Sequence, residues 1–120
     1  IQLTRGTRAL KLWLSMHVFG LDAFRSAVAH GIALAEHAEA VLSSRPGWEV
    51  VTPASLGIVC FTRVGRDDSA ISAALVDEGW AAPSTTVLRG ATVLRLCTIN
   101  PRTTFEEIDE TIERMERLAG

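Results

Sequence analysis

Apolar positions along the chain follow a helical period in its first third and alternate between strand and helical periods afterwards. From Ala9 to Phe19, and again from Leu21 to Ser43 or Ser44, they recur three and four residues apart, which predicts two consecutive helices broken at Gly20. In the first helix Leu10, Trp13, Leu14 and Phe19 cover more than one side, so it is expected to need a larger neighbour than a short chain offers. In the second, Leu21, Phe24, Val28, Ile32, Ala35 and Leu42 form one stripe, and Ala27, Leu34, Ala38 and Val41 an adjoining one. Gly31 lies in the middle of this helix, where glycine costs about 1 kcal/mol against alanine. Another backbone or ring is therefore expected to come close there.

Past Arg45-Pro46-Gly47 the period changes. Trp48 to Thr52 reads as a short strand stopped by Pro53, and Leu56 to Val64 as a central strand, with no polar residue between Ile58 and Phe61. Gly65 to Ser69 is a turn that supplies an N-cap for a short helix carrying Ile71, Ala74 and Leu75 and closed by Gly79. Ala82 to Leu88 is a weaker strand, Arg89-Gly90-Ala91 a tight reversal, and Thr92 to Cys97 the strand it feeds. Thr103 and Thr104, each with a glutamate three residues on, are capping-box starts for a last helix whose apolar stripe is Phe105, Ile108, Ile112, Met115 and Leu118 or Ala119. This order predicts an α+β fold: a small antiparallel sheet of three to four strands, helices on one face, preceded by a long helix.

Arg95 departs from the pattern. Leu94 and Leu96 share one face of its strand, while Val93, Arg95 and Cys97 share the other. An arginine within an apolar run is costly to bury unless something anionic meets it.

Composition narrows the function. A chain of 120 residues, 48% hydrophobic and 22% charged, has enough apolar material for one compact domain. The net charge is −2, and the scattered basic residues, eleven of the twelve being arginine, give no footprint for nucleic acid or an anionic membrane. Cys60 and Cys97, each among aliphatic neighbours, read as small buried hydrophobes in a reducing compartment. No apolar run reaches the roughly 18 residues of a membrane span, and no signal-peptide pattern opens the chain. The expectation is a soluble intracellular protein. It begins Ile1-Gln2-Leu3 without an initiator methionine, so a fragment of something longer is expected.

Residues for stand-alone catalysis are missing from the pattern. His17, His30 and His37 are not spaced as a metal set, and there is no glycine-rich phosphate loop. The serines lack an elbow motif and neither cysteine has a recognisable histidine partner. Asp67-Asp68 and the acidic residues of the last helix read as a cap and a solvated face.

Several stretches, in order, carry a resemblance: Arg5-Gly6-Thr7-Arg8-Ala9-Leu10-Lys11-Leu12-Trp13, Gly20 with the long helix, Trp48-Glu49-Val50-Val51, Leu56-Gly57-Ile58-Val59-Cys60-Phe61, and Val93-Leu94-Arg95-Leu96 leading to Asn100-Pro101-Arg102-Thr103-Thr104. Together they resemble the C-terminal part of group II pyridoxal-phosphate-dependent decarboxylases, the family of aromatic-L-amino-acid, histidine and glutamate decarboxylases. The resemblance implies the small C-terminal domain of a fold-type I enzyme. Residues 1–20 would be the tail of the connection from a large cofactor-binding domain, and residues 21–120 the C-terminal α+β domain. It implies a homodimeric, cytoplasmic parent that decarboxylates an amino acid.

The single lysine, Lys11, matches the Arg-Ala-Leu-Lys-x-Trp segment and not the Schiff-base motif. The fragment alone is thus expected neither to hold pyridoxal phosphate nor to carry catalytic residues. Two substrate-binding residues of the parent are implied. Arg95, with Asn100-Pro101, matches an arginine that binds a substrate carboxylate in glutamate decarboxylases, although a carboxylate at a domain interface or backbone carbonyls would equally satisfy it. Arg5 matches an arginine near the active-site entrance, with Gly6 a departure from animal relatives; an exposed cap or interdomain ion pair is the other reading. The competing expectation for the whole chain is a free-standing regulatory or interaction domain of ferredoxin-like type.

Overall fold

A computed structural model describes residues 8–120. Helix α1 (Arg8–Phe19) is followed by α2 (Leu21–Ser44), β1 (Trp48–Ser55), β2 (Ile58–Arg63), α3 (Asp68–Asp77), β3 (Ser84–Leu88), β4 (Ala91–Cys97) and α4 (Phe105–Ala119). The strands form one antiparallel sheet in the order β1-β2-β4-β3. Helices α2, α3 and α4 pack on the face that presents Val59, Phe61, Leu94 and Leu96, closing a core with Leu34, Leu42, Leu75, Ile112 and Met115. The α+β expectation holds, with four strands.

Local chemistry explains the junctions. Two hairpins turn on an X-Gly pair with both residues at positive φ, Leu56-Gly57 (50° and 82°) and Arg89-Gly90 (53° and 81°), the conformation that matches the twist of the flanking strands. Strand β2 therefore starts at Ile58, two residues later than the apolar run suggests. Asp67 caps α3 by accepting from Ser69 N and Ala70 N, whereas Asp68 is buried and accepts from Arg63 N at 3.0 Å, tying β2 to the helix. Thr104 and Glu107 complete the capping box of α4.

Strand β1 corrects one expectation. It continues through Pro53 to Ser55, with register shifts between Val50 and Thr52 and between Thr52 and Ser55. Proline lacks the N–H of a ladder bond, but β1 is an edge strand and Pro53 sits within an irregular stretch, where that loss is tolerated.

Gly31 meets the close approach its position implies. A Cβ there would lie 2.7 Å from the Thr98 carbonyl oxygen, while Thr98 Oγ1 donates to the Gly31 carbonyl at 2.6 Å. The N-terminal end of α4 is fastened to α2 by His30, whose Nε2 donates to the Thr103 carbonyl at 2.7 Å, and by His37, paired with Asp109 at 2.7 Å. The Phe105 ring stands edge-on to both imidazoles.

Helix α1 stands apart from this core. It is bent 99° from α2 at Gly20, where φ is 81°. Most of its apolar side chains are exposed, Trp13 by 52% and Phe19 by 68%. No single helix among the described residues is long and apolar enough to cross a membrane.

Candidate functional site

Strand β4 delivers Arg95 to the sheet face opposite the helices. Leu94 and Leu96 are buried in the core, so alternation turns Val93, Arg95 and Cys97 the other way. Arg95 is cross-strand partner to Cys60 on β2 and to Ser84 on β3. Its Nε–H donates to Ser84 Oγ at 2.9 Å. Among the described residues its two Nη groups have no hydrogen-bond partner, and no carboxylate forms an ion pair with it.

A cavity of about 390 Å³ adjoins this position. It exists because β3 begins at Ser84, opposite Arg95, leaving β4 from Leu96 onward without a neighbour on that side. The notch is walled by Trp80 to Ser84, by β4 from Arg95 to Cys97, and by the β4–α4 turn and the first turns of α4. Asn100 shapes that turn: its side-chain oxygen accepts from Arg102 N and its carbonyl from Thr103 N. Arg102 lines the cavity beside Arg95, and the Glu107 carboxylate in the same wall is held by the Thr104 N–H of the capping box. Two arginines and a tryptophan thus line a partly enclosed space that presents cationic residues to a carboxylate-bearing molecule.

On the far side of the cavity Trp80 donates to Thr111 Oγ1 at 3.0 Å and packs under Arg114, whose guanidinium lies 4.2 Å from the ring centroid. Hydrogen bonds that Arg114 donates to the Glu110 carboxylate, opposed by partial desolvation and joined by one to Glu78, hold Arg114 above its ordinary pKa. Its charge is thereby committed to the α3–α4 junction and not to the cavity.

Arg5 lies outside the described residues, so only Arg95 of the predicted pair is placed. Cys97, expected to be buried, is exposed beside the cavity, where β4 pairs with Ile58 of β2 but has no neighbour on the β3 side; Cys60 is buried, and both thiols are free. Sequence reasoning missed Ser84 as a partner of Arg95, and the turn gives it away. A two-residue hairpin at Arg89-Gly90 pairs Leu88 with Ala91, and counting outward sets Ser84 opposite Arg95.

The described residues do not compose a cradle for pyridoxal phosphate. Lys11, the one lysine, is exposed on α1, on a different element from those that wall the cavity.

Comparison with known proteins gives the family. The model of the pyridoxal-dependent decarboxylase conserved domain matches residues 1–64. An aromatic-L-amino-acid decarboxylase of Bacillus atrophaeus is 48% identical over 129 aligned positions, covering 99% of this chain and 27% of that protein. Tryptophan decarboxylase 2 of Oryza sativa subsp. japonica is 35% identical, over 91% of this chain and 24% of its own length. The crystal structure of Catharanthus roseus tryptophan decarboxylase in complex with L-tryptophan superposes with a TM-score of 0.82 at 24% identity, covering 96% of this chain and 26% of that one. The chain belongs to the pyridoxal-dependent decarboxylase family. It spans about a quarter of the length of the relatives it matches.

Proposed function

We propose that this chain is the C-terminal part of a pyridoxal-phosphate-dependent decarboxylase of aromatic L-amino acids, and that Arg95 binds the carboxylate of its substrate. The observation that carries the reading is the Arg95 guanidinium, held at Nε by Ser84 and bordering a cavity with both Nη groups unpartnered among the described residues. An aromatic amino acid has one carboxylate, so the group Arg95 meets is the one lost as carbon dioxide. The substrate class rests on the relatives named aromatic-L-amino-acid and tryptophan decarboxylase.

The remaining assignments follow from that reading. Residues 1–20 are the end of the connection from a large cofactor-binding domain and residues 21–120 the C-terminal domain. The large domain of the same chain holds the cofactor and covers the sheet face that carries Arg95. The parent is a cytoplasmic homodimer. Arg5 contributes to substrate binding at the entrance.

The test is kinetic, in the full-length enzyme. The carboxylate departs as neutral carbon dioxide and the electron pair of the broken C–C bond stays on the substrate carbon, so an ion pair with that carboxylate weakens as the bond breaks and favours the bound substrate over the transition state. Arg95→Ala is expected to raise KM by about tenfold or more, the scale of a hydrogen bond to a charged group, with a smaller change in kcat. Unaltered kinetics with lowered stability would leave Arg95 a structural residue.

A further inference from the structure

A guanidinium takes a carboxylate bidentately on one of two edges, Nε with one Nη, or the two Nη together. In this chain the first edge is engaged, because Arg95 Nε–H donates to Ser84 Oγ at 2.9 Å. The serine is itself well anchored. It forms the last register pair of the β3–β4 hairpin, and it follows Pro83, whose ring fixes φ and whose carbonyl accepts from Ser72 Oγ at 2.6 Å. Ser72 on α3 thus steadies the start of β3, and β3 steadies the guanidinium. The second edge has no partner among the described residues.

We propose that Ser84 is a positioning residue that turns Arg95 end-on to the substrate, so that its two Nη groups receive the carboxylate. This rests on the reading of Arg95 as the carboxylate-binding residue. Removing the hydroxyl frees Nε and lets the guanidinium rotate, so the loss falls on carboxylate recognition.

The experiment uses the full-length holoenzyme with two probes, an aromatic L-amino acid and the amine formed from it, which has the same ring and no carboxylate. Ser84→Ala is expected to raise KM for the amino acid by about tenfold, to leave inhibition by the amine unchanged, and to add nothing in an Arg95→Ala background. Ser84→Thr retains the effect of serine and Ser84→Val does not; that pair has one shape and differs by the hydroxyl, so it carries the comparison if alanine disturbs folding. If Arg95→Ala leaves amino-acid binding unchanged, the reading of Arg95 fails and the role of Ser84 with it. If Arg95→Ala weakens binding of the amino acid but neither Ser84→Ala nor Ser84→Val does, or if these weaken the amine equally, the positioning role alone is overturned.

Discussion

Gly31 and Thr98 lock α2 to the end of β4 through their backbones: Thr98 Oγ1 donates to the Gly31 carbonyl at 2.6 Å, and the Thr98 carbonyl oxygen lies 2.7 Å from the place of a Cβ on residue 31. Two opposed effects meet at this contact. Alanine in place of glycine within a helix is ordinarily worth about 1 kcal/mol of added stability. Here the clashing atom is backbone, fixed by the Thr98 N–H bond to the Gly57 carbonyl at 2.8 Å. Gly31→Ala is therefore expected to lose about 1–3 kcal/mol net, the usual cost of overpacking. Urea denaturation of the two proteins measures it, and a mutant as stable as the parent sequence would show that the contact relaxes.

Thr98 contributes a second, separable effect. Its hydroxyl is buried and bonds both the Gly31 and Gly57 carbonyls, at 2.6 and 3.1 Å. Thr98→Val keeps the shape and removes the hydroxyl's bonds to the Gly31 and Gly57 carbonyls, the latter keeping the backbone N–H of residue 98, at about 0.5–1.5 kcal/mol, whereas Thr98→Ser keeps the hydroxyl and loses one methyl group. Valine is expected to be the more destabilising of the two. The reverse order in thermal unfolding would mean that packing of the methyl outweighs the hydrogen bonds.

The two cysteines separate by exposure. Cys97 is exposed at the notch and Cys60 is 6% exposed within β2. In the 120-residue chain a small alkylating reagent is expected to label Cys97 at the rate of an accessible thiol and Cys60 only when the sheet opens. Mass spectrometry of peptides after timed labelling distinguishes them, and equal rates would contradict the burial of Cys60.

These residues also show which parts of the molecule are legible in a sequence. Helix and strand periods place every element, and the two capping-box starts at Thr103 and Thr104 place the start of α4 to within one residue, of which the structure uses Thr104 with Glu107. Gly31 signals a close approach because a mid-helix glycine costs stability unless space demands it. What periodicity does not carry is strand order. Pro53 reads as a stop because nothing local says that β1 is an edge, and Cys97 reads as buried because nothing local says that β3 does not extend to it. The face of Arg95 follows from alternation, and its partner Ser84 from the hairpin turn. That both Nη groups lack a partner among the described residues depends on which carboxylates the fold brings near, a tertiary fact.

Helix α1 supplies the last expectation. Leu10, Trp13, Leu14 and Phe19 are all about half exposed or more, and Val28 beyond the bend at Gly20 is exposed as well, beside the shallow apolar groove of Phe24, Ala29 and Ile32. None of them belongs to the core that α2, α3 and α4 close on the sheet. Apolar surface on this scale draws a partner, and in the isolated chain the partner at hand is another copy. Sedimentation of the 120-residue chain is expected to show a concentration-dependent dimer or larger assembly. Trp13→Glu combined with Phe19→Glu should return it to a monomer with unfolding little changed, because both side chains lie outside the core. A parent sequence that stays monomeric at every concentration would mean that α1 folds back to cover its own apolar face.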